Sequence, residues 1–129
     1  MMLMISDIIN ALEQAFPDMK FFNGCISKDE ECVGVYARGN APPVVAIGSQ
    51  SSYNILPVTL LIHDTENAAY TEHTANTLYG NLEQGLTENI RDIRVIQVQL
   101  LDSCPVNIGR DDNNICEMTI RANIIYERR

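Results

Sequence analysis

No apolar run in this 129-residue chain approaches the ~18 residues that a membrane-spanning helix needs. Clustered positive charge is missing as well. Nine Lys and Arg stand against 17 Asp and Glu for a net charge of −8, and only Arg128 and Arg129 are adjacent. Binding nucleic acid through its phosphates needs a basic cluster, so the composition argues against that class. The opening Met1-Met-Leu-Met-Ile5 has no basic region and no small-residue cleavage site, which argues against a signal peptide and for a protein that stays in the cell that makes it. The four cysteines (Cys25, Cys32, Cys104 and Cys116) contain no C-x-x-C pair, and His63 and His73 do not complete a zinc-site spacing. Cys32 and Cys116 fall within apolar alternations, where a thiol behaves as a small hydrophobe. Reduced thiols and no metal are the expectation.

Catalytic signatures are absent too. The chain has no G-x-S-x-G, no phosphate-binding G-x-x-x-x-G-K-[ST], no G-x-G-x-x-G and no H-E-x-x-H. His63 ends a predicted strand and His73 sits mid-helix, and a structural role is the expectation for each. Asp111-Asp112-Asn113-Asn114 has the composition of half a cation loop but neither the alternating spacing nor the distal Glu of one. Asp and Asn at left-handed positions make it a hairpin turn. The expectation is no enzyme and no cofactor.

What is present reads as one domain over residues 1–129. Ile5, Ile8, Ile9, Leu12 and Phe16 form one helical stripe, with Ser6 or Asp7 at its start and Pro17 as its stop. Phe21-Phe22-Asn23-Gly24 reads as an apolar pair entering a turn, and Asp29-Glu30-Glu31 as a solvated turn. Cys32 to Tyr36 alternates as a strand, Val44 to Ile47 offers a short one after Pro42-Pro43, and Gly48 to Ser52 is a loop. Leu56 to His63 is the most apolar strand, with Pro57 at its entrance. Asp64-Thr65-Glu66-Asn67 supplies caps for a second helix that buries Ala68, Thr71, Ala75, Leu78, Tyr79 and Leu82 and stops at Gly85. In Arg94 to Leu101, Ile96, Val98 and Leu100 share one face. A polar loop, Asp102 to Asn114, leads into a last strand from Ile115 to Tyr126. There Cys116, Met118, Ile120, Ala122, Ile124 and Tyr126 share one face. The predicted fold is α+β, a mostly antiparallel sheet with two helices on one face, in the order α-β-β-(β)-α-β-β.

Candidate contact residues are Tyr53, read on a loop beside Ser51-Ser52, and the tip Gly109-Arg110-Asp111-Asp112. Tyr53 stays open between an interface anchor and an ordinary surface residue. The tip stays open between a charge-assisted contact with a neighbour and a solvated turn.

The order of the N-terminal helix, Val33-Gly-Val-Tyr36, Tyr53 with Pro57 leading into Val58-Thr-Leu-Leu-Ile62, a helix, a strand, and Pro105-Val-Asn-Ile-Gly-Arg-Asp-Asp112 before a terminal alternating strand resembles a known group. It is similar to the small minor capsid or tail-terminator proteins of long-tailed bacteriophages and prophages, over nearly the whole chain. The resemblance implies a virion structural protein of the head–tail junction. Such a protein assembles in the host cytoplasm, caps the tail tube as a six-fold ring, and joins the tube protein to head-completion proteins. It implies no catalytic residues. A closed ring uses two different patches on each subunit, and an acidic protein would let genomic DNA pass its lumen without sticking. Alternatives are another virion component, such as a tail-tube or head-completion subunit, and a cytoplasmic small-ligand binding module.

Overall fold

A computed structural model describes residues 3–27, 31–38, 53–85 and 93–127. The expected strand at Val44 to Ile47, the Pro42-Pro43 break and the Gly48–Ser52 loop lie outside them. The order of elements is α1 (Ile5–Ala15), β1 (Phe21–Asn23), β2 (Cys32–Ala37), β3 (Tyr53–His63), α2 (Ala68–Gln84), β4 (Val95–Leu100), β5 (Val106–Arg110) and β6 (Cys116–Glu127). The fold is α+β, and the sheet runs β1-β2-β3-β6-β4 with β5 also paired to β6. Among the described residues every pairing is antiparallel except β1 with β2.

The helical stripe behaves as its spacing dictates. Ile8, Ile9 and Leu12 of α1 are buried, as are Thr71, Ala75, Leu78 and Leu82 of α2. Both sets pack on the sheet face formed by Val33, Val35, Val58, Leu60, Ile62, Met118, Ile120 and Ile124. The start of α1 is held by Asp7, whose carboxylate accepts from the Met4 N–H at 2.9 Å, and Phe16 ends the helix before Pro17. Asn67 caps α2 by accepting from the N–H groups of Ala69 and Tyr70 at 3.0 and 3.2 Å, which satisfies donors the helix cannot. Ala68, expected inside, is the first residue of α2 and is exposed. Tyr79 is half-buried.

Three further expectations give way. Phe21–Asn23 is a strand and not a turn, paired in parallel with Val33–Val35. The chain then crosses the outer face of β2, and Gly34 leaves room for it: a Cβ there would lie 2.7 Å from the Cys25 carbonyl oxygen. Tyr53 is the first residue of β3 and not a loop residue, so Pro57 falls inside the strand. Proline survives there because its carbonyl accepts from Arg38 N–H just past the end of β2. An N–H at this position would point the same way, so the bond forgone lies past the end of the β2–β3 pairing and not within it. The Asp102–Asn114 loop, finally, contains β5. Val106 and Ile108 carry the β-propensity that the flanking Asp and Asn residues masked.

Candidate functional site

β4 and β5 pair in succession along the same edge of β6, β4 against Ala122–Tyr126 and β5 against Cys116–Thr119. They form one interrupted edge strand, with the break at residues 101–105. The edge carries two irregularities. Val95 opposes Tyr126 and Gln97 opposes Ile125, which leaves Ile96 as an extra residue. Asn107 opposes Met118 and Gly109 opposes Glu117, which leaves Ile108 as another. A bulge re-aims the side chain it inserts. Ile96 is therefore 51% exposed and Ile108 54%. This corrects the expectation that Ile96 shares the inner face with Val98 and Leu100; the bulge turns Val95 inward in its place. Gly109 has φ +106°, a conformation that suits glycine in such an irregularity. Leu101 and Val106 are exposed as well, so the open edge presents four apolar side chains.

The break between β4 and β5 is pinned on both sides of the sheet. From the helix layer, the Tyr79 hydroxyl donates to the Asp102 carbonyl at 2.8 Å. From the outer face, Arg121 donates to both carboxylate oxygens of Asp102, at 3.0 and 2.8 Å. This fork holds the Asp102 carboxyl below its ordinary range, mainly through the hydrogen bonds, and raises Arg121 by the same contact. Beside it Arg38 donates to the Val58 carbonyl and to Asn123 Oδ1. Burial and then the neighbouring Arg121 lower its pKa.

The four tip residues come together at the end of β5 and the turn that follows. Arg110 Nη1 donates to the carbonyls of Glu66 and Asn114, both at 2.9 Å. Asp111 Oδ1 accepts from Asn113 and Ile115 N–H at 2.9 Å each, and Asn114 takes φ +65°. The hairpin turn expected from these residues is present, and Asp112 is exposed in it. Tyr53 does not join them. It stands at the far end of β3, ten residue steps from His63, or roughly 30 Å at strand rise.

His63, expected to be a structural histidine, is 1% exposed. The segment that crosses Gly34 lies over this face, and Cys32, directly opposite His63, donates to Ser27 O at 3.6 Å. His63 Nδ1 lies 3.1 Å from Glu117 Oε2 and 3.7 Å from Asp111 Oδ2. The three polar atoms lie within 4.8 Å of one another and could offer a divalent cation one nitrogen and two oxygens. They also satisfy a buried imidazole without one. Sequence spacing could not reveal the set, because strand register brings Glu117 across from His63 and the hairpin turn brings Asp111. All four cysteines are free thiols, with Cys32 and Cys116 buried and Cys25 and Cys104 exposed.

Among the described residues the β4–β5 edge of the sheet displays bulged isoleucines, an apolar rim of the kind at which proteins associate. The family model of the bacteriophage tail terminator protein matches residues 6–128. No curated protein matches the chain. The chain thus belongs to the bacteriophage tail terminator family, and its role is a structural one in the phage tail. Among the described residues no helix is long and apolar enough to cross a membrane.

Proposed function

We propose that this chain caps the completed tail tube as a closed six-fold ring, stops further addition of tube protein and presents a face to head-completion proteins. The observation that carries this reading is the β4–β5 edge, where Ile96 and Ile108 are turned outward by two separate bulges. A soluble monomer gains nothing from such an edge, whereas a subunit that must dock against another gains an apolar contact at the rim of its sheet. A ring needs a second, different patch on each subunit, and the two ends of the long β3–β6 pair supply separate places for it. The turn Gly109-Arg110-Asp111-Asp112 continues the β5 edge at one end, and Tyr53, 37% exposed, marks the other. In this reading Arg110 and Asp111 shape the turn through bonds within the subunit, and Asp112 and Tyr53 meet the neighbour.

Deletion of the gene from an inducible phage tests the role. Tails of uncontrolled length and no infectious particles are expected, with the wild-type protein located by electron microscopy only at the head-proximal end. Normal-length tails in the deletion strain, or protein distributed along the whole tube, would overturn the assignment.

A further inference from the structure

Glu31 and Asp64 lie one register step beyond the Cys32–His63 pair of β2 and β3. Strand alternation puts their side chains on the same face as Val33 and Ile62. Two carboxylates directly across from one another destabilise a sheet unless a cation lies between them. Both line a pocket of about 210 Å³ together with Asp18, and Lys20 is the single cation among its described lining residues. Asp64 is 7% exposed, yet its Oδ2 has no hydrogen-bond partner. An unsatisfied buried carboxylate oxygen is costly and calls for a partner. Burial, and then the charge of the facing Asp64 and a hydrogen bond with its side chain, push the Glu31 carboxyl up, as expected of two acidic groups set against one another.

We propose that this pocket receives the arginine side chain of a neighbouring protein subunit. The buried Val33 and Ile62 form an apolar floor for the alkyl stem. The planar guanidinium has donors enough to bridge Asp64 and Glu31 at once, which the point charge of a lysine does less well. Tyr70, 52% exposed at the rim, offers a ring face on which a guanidinium stacks. The neighbour as source of the arginine rests on the reading of the chain as an assembly subunit; the chemistry of the pocket does not.

The test is a titration of the isotope-labelled isolated protein with N-acetyl-L-arginine amide, followed by nuclear magnetic resonance. The neutral isostere N-acetyl-L-citrulline amide serves as the control. Saturable shifts centred on Val33, Ile62, Asp64 and Tyr70 are expected with the arginine probe, in the roughly millimolar range suited to one side chain, and none with citrulline. At least a tenfold loss of affinity is expected in Asp64→Asn or in Glu31→Gln. Glu31 is exposed, so its variant keeps the fold and remains informative if the other does not. Absence of a saturable shift, equal binding of citrulline, or unchanged affinity in both variants overturns the proposal. Because the isolated protein is used, such a failure leaves the capping role standing, and failure to cap tails leaves the pocket standing.

Discussion

Arg121 and Asp102 pair on the outer face of the sheet, at the point where the edge strand breaks, and their contact has a sign that can be worked out. The pKa of Asp102 is lowered in the folded state. Its contribution is therefore present above the unfolded value of about 3.9 and is lost as pH falls through the lower folded value. Arg121→Ala should melt below the wild type at pH 7, and the gap should close on acidification below about pH 4. Melting curves from pH 7 to pH 2.5 check this; a gap independent of pH would mean that lost packing of the arginine stem, not charge, is the cause. Burial of His63 was not legible in the sequence. Its cover comes from the chain crossing Gly34, and its acidic partners from two other segments, Asp111 and Glu117. Glu31 likewise reads as part of a solvated acidic turn until the β2–β3 register sets it across from Asp64.

Among the elements, β6 was the most legible, because every second residue from Cys116 to Tyr126 is buried and alternation of that length has one explanation. The stripe of α1 was legible for the same kind of reason. The edge strand was not. A bulge adds one residue and reverses the side-chain alternation beyond it, so Ile96 reads as a core position when its neighbours are assumed regular. Ile108, between Asn107 and Gly109, reads as part of a loop. These two residues carry the element-scale prediction. Ile96→Lys with Ile108→Lys should shift stability by no more than about 0.5 kcal/mol each, since both side chains are exposed and away from the core. The same double variant should fail to cap tails. Thermal melting and a tail-length assay read the two effects separately, and full capping by a stable double variant would remove the edge from the interface.

For the molecule as a whole, the charge of −8 sets how it meets a polyanion. In a gel-shift assay at about 50 mM salt, where phosphate contacts are strongest, no retention of duplex DNA is expected. Retention that weakens steeply with added salt would reveal a basic surface that the net charge conceals, and would speak against a ring that lets DNA pass. The α+β class, both helices, the strands that supply the core and the turn at Asp111–Asn114 were determined by the sequence itself, because each rests on a local period or a local backbone preference. Only the tertiary structure decided which edge stays open, which isoleucines leave the core, and which carboxylates face His63 or one another. Those outcomes depend on register between strands distant in the chain, and a shift of one residue, invisible in composition or period, moves a side chain from one face of the sheet to the other.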